Sequence, residues 1–331
     1  MADPSTPDCL VIGAGLSGLI LAKQLQQQGH GVLVLDKGRG LGGRLATRRL
    51  PYPQVGEGAL DYGAQYFQAQ TQPFQTLVAR WMIQGVVTPW FHEGEVPRYR
   101  GTPNNRAIAK FLAQGLRVQT QTQVTGLRRL DKGWQVETAQ GDRVSAPFLA
   151  LTAPVPQALQ LLATGDWTLP VPLQQSLEQV SYHACIAVLA LLSQPSQIPA
   201  PGGLRCPHES LAWIACNQQK GVSPQVPAVT LHSSPAFSQA HWDLPDPEVT
   251  ALLLDAASPW LGAPVVSSQV HRWRYSLPHQ VYGDLWAGDR DLGLILAGDG
   301  FQTETMAETL SPMEGAALSA IAAAETLLSW L

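Results

Sequence analysis

The sequence is short of charge, of cysteine and of long apolar runs. Charged residues make up 14% of its 331 positions, and the formal net charge is −4. No basic stretch suited to a phosphate backbone stands out, so nucleic acid is not expected as a partner. The four cysteines, Cys9, Cys185, Cys206 and Cys216, lie too far apart for a redox or zinc pair, and no metal site is expected. The longest apolar stretches, 185–192 and 292–297, are far too short to span a bilayer. Residues 1–8 are polar, with Pro4 and Pro7, and show no signal or transit peptide. A reduced cytoplasm is the default compartment. Lysine is scarce as well: Lys23, Lys37, Lys110, Lys132 and Lys220 are the whole set.

Hydrophobic residues make up 45% of the chain, enough for a large core, and the length suits two domains or one with an insertion. Leu10, Val11 and Ile12 read as a buried strand. A helix follows to about Gln28, with Gly29 as its C-terminal cap. Val32 to Leu35 reads as a second buried strand, which completes a βαβ unit on a parallel sheet. Residues 38–70, rich in Gly, Arg and Tyr, read as an ordered loop region.

Helices are expected over 74–85, with Phe74, Leu77, Val78, Trp81 and Met82 on one face, and over 105–114. Strands at 116–122 and 134–138 are read as joined by a turn at Asp131-Lys132-Gly133. A third buried strand covers 148–151. The middle, about 156–270, is rich in Pro, Gln and Ser, with strands near 184–192, 211–215 and 227–232 and a helix over 248–260. Those strands suggest a mixed or antiparallel sheet. Residues 292–297 read as another parallel-type strand before Gly298-Asp299-Gly300. Ser311-Pro312-Met313-Glu314 is a capping box that opens a helix to about Trp330. There are no internal repeats.

Gly13, Gly15 and Gly18 form G-x-G-x-x-G between the first strand and its helix. Gly13 permits the tight turn, Gly15 the approach of a pyrophosphate, and Gly18 the packing of helix on strand. The helix N-terminus offers free N–H groups and a positive dipole end to phosphate, and Ser17 lies in that first turn. Asp36, at the end of the second strand, can accept hydrogen bonds from ribose hydroxyls, with Lys37 beside it. This unit alone leaves NAD and FAD both open. Gly42, Gly43 and Arg44 then supply a second close backbone approach and a guanidinium fork for phosphate oxygens.

The run from Asp36 through Gly42-Gly43-Arg44 to Arg49 resembles the flavoproteins of the second glutathione-reductase type, which include amine oxidases and phytoene desaturases. Their Gly-Gly-Arg arginine contacts the FAD pyrophosphate. Within that group the sequence is most similar to the renalase family, from about residue 8 to the C-terminus. Asp61-Tyr62-Gly63-Ala64-Gln65-Tyr66-Phe67 resembles the segment that runs along the flavin ring. His271-Arg272-Trp273-Arg274-Tyr275 resembles a Trp-containing strand, and Gly298-Asp299-Gly300-Phe301 the late motif whose Asp binds the ribityl chain. Two acids in 304–309, and Pro312 where glycine is common, depart from the pattern.

The resemblance implies an α/β fold. A discontinuous Rossmann-like FAD-binding domain (1–70, 101–155 and 280–331) would carry an inserted substrate domain on a mixed or antiparallel sheet (71–100 and 156–279). The cofactor implied is noncovalent FAD. Its expected contacts include Val124, Tyr62, Gly63, Ala64, Gln65, Tyr66, Gly298, Asp299, Ser311 and Met313, besides the residues of the βαβ unit. A backbone N–H of Met313 would face flavin N1 and the C2 carbonyl. The Tyr62 side chain replaces a smaller residue and is free to face elsewhere.

Two chemistries compete. An amine oxidase of this group usually places a lysine near flavin N5. Lys23 and Lys37 belong to the nucleotide unit, and Lys220 sits in 218–224, which reads as a solvated loop, so no catalytic lysine is expected. No cysteine follows Cys216 to form a late thioether to the flavin. Renalase chemistry, by resemblance, oxidises 1,2- or 1,6-dihydro isomers of NAD(P)H to NAD(P)+, with O2 as acceptor and H2O2 as product. It needs no strong base, only a stacked and oriented ring. Candidate substrate-side residues are His232, Trp273, Arg274 and Tyr275, with Trp213 and Asn217 behind them. On a strand, His271, Trp273 and Tyr275 share one face and Arg272 and Arg274 the other. A flavin-binding module without turnover is the reading from another class.

Overall fold

A computed structural model describes residues 6–53, 56–165, 167–206 and 208–331. Its centre is a six-stranded sheet in the order Ala287–Asp289, Leu294–Leu296, Phe148–Leu151, Cys9–Ile12, Val32–Leu35, Arg117–Gln119. All neighbours pair in parallel except the antiparallel edge strand Ala287–Asp289. The inner strands are apolar runs because both faces of the sheet are covered. On one side the helix Leu16–Gln27 packs on the C-terminal helix Pro312–Trp330. Ala317, Ala320, Ala323 and Ala324 are buried in that core, and Ser17 Oγ donates to the Ala316 carbonyl at 2.9 Å. A three-stranded antiparallel sheet, Arg143–Ala146, Trp134–Thr138 and Val124–Arg129, lies on the other side.

The second large sheet has five antiparallel strands, in the order Gly203–Arg205, Leu211–Cys216, Ala228–Ser233, Ser181–Leu192, Val265–Gln280. Strand periodicity sends Ile186, Val188 and Leu192 to one face, against Val249, Leu253 and Ala257 of the helix Asp246–Leu261. Ala187, Leu189 and Leu191 go to the other face, against Leu50, Leu60 and Tyr62. Burial on both faces explains why 184–192 is an unbroken apolar run. The α/β class expected from the sequence holds, and the middle sheet is antiparallel.

Three expectations change. Residues 38–70 are not loop throughout: Thr47–Tyr52 and Gly56–Asp61 pair as a hairpin. Leu50 and Leu60 of that hairpin are buried against the second sheet, so packing overrides a composition poor in strand formers. Arg117–Gln119 joins the parallel sheet beside Val32–Leu35. The turn at 131–133 instead joins Trp134–Thr138 to Val124–Arg129. In the helix Gln72–Ile83, Phe74, Val78 and Trp81 are buried, but Met82 is exposed, one step off the apolar stripe.

Candidate functional site

One cleft of roughly 2130 Å³ runs past the carboxyl ends of the parallel strands. Gly13, Asp36, Thr152 and Gly298, each just beyond a strand, line it. Ligands of open α/β sheets bind at such strand ends.

At the phosphate end, Gly13 has φ +114°, a left-handed conformation that favours glycine. A Cβ on Gly18 would lie 2.0 Å from the Gly13 carbonyl oxygen, whereas one on Gly15 would meet no atom within 4 Å. Gly15 therefore leaves its backbone open to a ligand. Asp36 accepts from the N–H groups of Ala14 and Gly38, both at 2.6 Å, so it ties the glycine turn as well as facing the cleft. Gly42 donates to the Ala14 carbonyl at 2.8 Å, which holds the Gly-Gly-Arg loop against the first turn. Lys37 is exposed beside Gln157, and Val124 lines the cleft at the start of its strand.

Three expected contacts are used differently. Arg44 is not a free fork: it donates to both carboxylate oxygens of Asp299, at 2.7 Å for Nη2, and to the carbonyls of Tyr275 and Ser276 at 3.2 Å. Asp299 is nearly fully buried, and the adjacent guanidinium compensates its charge. Ser17 Oγ is taken by Ala316, which leaves only its backbone for phosphate. Ser311 Oγ accepts the Glu314 N–H at 3.3 Å and donates to the Gln68 carbonyl at 3.2 Å, so its hydroxyl serves the cap. The capping box is half formed. The fully buried Glu314 carboxylate turns to the N–H groups of Gln70 and Thr71, at the start of the helix Gln72–Ile83. Met313 lines the cleft in the first turn of its helix, where a backbone N–H has no partner within the helix.

Among the described residues, buried Gln65 Oε1 and Arg106 Nε have no hydrogen-bond partner, and both residues line the cleft. Orphaned polar atoms, an open glycine backbone and a long cleft fit a dinucleotide. Gly63 is the tightest point: a Cβ there would lie 2.1 Å from the Arg44 carbonyl oxygen, which accepts from Ala64 at 2.8 Å. Gly63→Ala should therefore part the 62–66 segment from the arginine loop. The purified variant is expected to lose most of its FAD, measured as the flavin-to-protein ratio after denaturation; a ratio equal to that of the parent would contradict this.

Beside the dinucleotide arm the second sheet forms a wall. Cross-strand register aligns Arg205 with Trp213, Trp213 with His232, His232 with Ala187, and Ala187 with His271. The wall rests on residues 62–66: the Tyr62 carbonyl accepts from His232 Nε2 at 3.0 Å and from Trp273 Nε1 at 2.9 Å. A carbonyl only accepts, so Nε2 of neutral His232 carries the proton. Burial pushes both His232 and His271 down to about 4, which keeps them neutral at pH 7.

The Tyr62 ring, free in the sequence reading to face elsewhere, stacks on Trp273 at 5.2 Å, and the Arg48 guanidinium lies 5.0 Å from its centroid. Arg272 and Arg274 take the opposite strand face. Arg272 bonds the Trp242 carbonyl, and Arg274 lies 4.8 Å from the Trp242 ring. Tyr275 packs edge-on against Tyr182. Asn217 is fully buried and holds the Asp61 backbone N–H at 3.1 Å.

Lys220 overturns its sequence reading. It is not solvated: its side chain is fully buried, with Nζ 2.9 Å from Asp61 Oδ2. It does not line the cleft. Asp61 also accepts from Thr47 Oγ1 at 2.6 Å, and its carbonyl accepts from Thr230 Oγ1 at 2.8 Å. The polar run 218–220 carries no apolar period, so nothing local betrays its burial. Arg98 and Arg205 were also missed, because only tertiary structure brings them to the cleft.

Comparison with known proteins decides the family. An NAD(P)-binding Rossmann-like profile matches residues 11–81, and the profile of flavin containing amine oxidoreductases matches residues 81–328. The chain belongs to the flavin-containing amine oxidoreductases. Its cofactor is FAD. An L-amino acid dehydrogenase of Synechocystis is 35% identical over 89 residues, 27% of this chain and 18% of that protein. A provisionally named flavin-containing monoamine oxidase of Mycobacterium tuberculosis is 31% identical over 168 residues, half of this chain. The chain thus spans only 18% and 33% of the length of these curated relatives. Cyclohexylamine oxidase from Brevibacterium oxydans shares the fold with a TM-score of 0.73 at 14% identity, over 98% of this chain and 99% of that one. A putrescine oxidase does so at 0.69, with the same identity and coverage. No helix among the described residues is long and apolar enough to cross a membrane.

Proposed function

We propose that the chain is an FAD-dependent oxidase of renalase type, taking hydride from isomeric dihydronicotinamide dinucleotides. The balance is dihydro-NAD(P) plus O2 plus H+ to NAD(P)+ plus H2O2. Bound FAD would supply a two-electron acceptor that O2 can reoxidise. We also propose the division expected from the sequence, an FAD-binding domain of 1–70, 101–155 and 280–331 and a substrate domain of 71–100 and 156–279.

The observation that carries the reading is charge. Eleven lysines and arginines line the cleft against three carboxylates, Asp36, Asp299 and Glu308. Two of those carboxylates are already engaged, Asp36 by backbone N–H groups and Asp299 by Arg44. Of the cations, Arg44, Arg49, Arg98, Arg205 and Arg272 also have carboxylate partners, and the remaining lysines and arginines keep the cleft net cationic. An ammonium substrate meets a rim of its own sign, whereas a pyrophosphate is attracted to it. On the substrate side, neutral His232 and His271, with Tyr62 and Trp273, offer stacking surfaces and hydrogen bonds and no strong base. A dihydropyridine has no proton to lose before hydride leaves, so positioning is the main task. The FAD is read as noncovalent; Cys185, the cysteine lining the cleft, is buried, which disfavours its thiolate.

Amine oxidation is the second reading. The family description and the amine substrates in the neighbours' names favour it, as do the aromatic walls. Oxygen uptake separates the two. The 1,2- and 1,6-dihydro forms should drive uptake with peroxide formed in equal amount, and monoamines should not; uptake with amines alone would reverse the assignment.

A further inference from the structure

The cleft has a second cationic feature away from the dinucleotide arm. Arg205 ends the short edge strand Gly203–Arg205, and its side chain is 69% exposed at the cleft mouth. The strand is pressed against aromatic rings. A Cβ on Gly203 would lie 2.7 Å from the Trp213 ring and 2.8 Å from the Trp90 ring. Only glycine allows that approach, and the approach sets Arg205 over the mouth. There Nη2 donates to the Tyr66 hydroxyl at 2.6 Å. Tyr66 is held in turn by Phe91, 5.4 Å away, and Trp213, 5.1 Å away. The indole Nε1 of Trp213 is buried and has no hydrogen-bond partner among the described residues.

Arg98 and Arg205 share a single carboxylate, Glu93, so this corner of the cleft carries a surplus positive charge. The neighbouring carboxylate, Glu93, accepts from Arg98 Nε at 3.1 Å and Nη2 at 2.6 Å. Arg205 Nε stands 3.9 Å from Glu93, beyond hydrogen-bond reach. The Tyr66 oxygen accepts from Arg205, so its own proton is free to be given. A guanidinium oriented by its hydrogen bond to Tyr66, and the Tyr66 hydroxyl, whose ring is packed by Phe91 and Trp213, converge as donors on the mouth.

We propose that Arg205 and the Tyr66 hydroxyl form an anion subsite for the phosphate or pyrophosphate at the non-reacting end of the substrate. Arg205 is then a specificity-determining residue. The idea rests on the dinucleotide reading above and adds the place where the anionic portion is held. The test uses the FAD-loaded protein and ADP-ribose, which has the pyrophosphate and no nicotinamide. Binding is followed by calorimetry and by the perturbation of the flavin spectrum.

Arg205→Gln should weaken ADP-ribose roughly tenfold, as expected for one exposed charge-assisted contact, and Arg205→Lys should recover part of the loss. Tyr66→Phe should weaken it by a smaller factor in the same direction. Equal affinity in the parent and Arg205→Gln, or no binding to the parent at all, would overturn the subsite. The two ideas fail separately. Dihydronicotinamides that reduce the flavin while Arg205→Gln binds ADP-ribose normally remove the subsite alone. ADP-ribose binding that needs Arg205, in a protein that no dihydronicotinamide reduces, removes the substrate assignment alone.

Discussion

Lys220→Met should destabilise the protein by about 3–5 kcal/mol, the usual cost of stranding one charge of a buried pair. Lys220 and Asp61 both have fully buried side chains, with 2.9 Å between Nζ and Oδ2. Removing the ammonium leaves the Asp61 carboxylate with the Thr47 hydroxyl, weak Asn105 N–H contacts and the more distant charge of Arg100. Apparent melting temperature should drop on the order of 10 °C, read by circular dichroism on the FAD-loaded protein. The double variant Asp61→Asn/Lys220→Met should recover much of the loss, because neither charge is then left alone. Purely additive losses would mean that the two groups do not compensate each other. Burial lowers the Lys220 ammonium from its ordinary range, with Asp61 opposing that shift.

This ion pair marks where sequence reading stops. The dinucleotide unit was legible because each part is local: the apolar strand, three glycines at fixed spacing, the acid after the second strand. The C-terminal helix was legible for the same reason, through Ser311 and Pro312. Lys220 was not, since a Gln-Gln-Lys-Gly run looks the same whether a loop turns outward or inward. Only the approach of Asp61, from a strand that itself went unread, makes the inward turn favourable.

The wall of the site was half legible. Alternation correctly separated His271 and Trp273, which both pack on Tyr62, from Arg272 and Arg274 on the side of Trp242. Tyr275 falls where the strand pairing is irregular and packs on Tyr182. Alignment of Arg205, Trp213 and His232 depends on strand register, which no local pattern in those segments announces. Arg44 shows a different limit. Its place in the cleft follows from the Gly-Gly-Arg motif, but its pairing with Asp299 joins segments at opposite ends of the chain.

The second large effect is on pH. His232 is held neutral in the fold, pushed by burial from 6.5 down to about 4, with the Tyr62 carbonyl opposing that shift. Between those two values the unfolded chain takes up a proton that the folded one does not. Stability is therefore fully present above pH 6.5 and is lost as pH falls towards 4. The difference corresponds to about 3 kcal/mol for this one residue. His271, shifted in the same direction but half-exposed, adds a smaller share. Urea midpoints at several pH values across that window should show a slope that His232→Gln largely flattens. Gln keeps a donor for the Tyr62 carbonyl, so its effect reports the titration rather than a lost hydrogen bond. Parallel slopes in the two proteins would show that His232 is not desolvated as the fold implies.

The charge of the cleft is the ground for reading the substrate as an anionic hydride donor and not as an amine. Anaerobic single-turnover mixing tests that claim most directly. Loss of the long-wavelength band of oxidised flavin is followed after mixing with the 1,2-dihydro isomer, the 1,6-dihydro isomer or a monoamine, each alone. The account predicts rapid bleaching by at least one dihydronicotinamide, with NAD(P)+ formed in equal amount, and no bleaching by the amine. Bleaching by the amine, with the dihydronicotinamides inert, would contradict it.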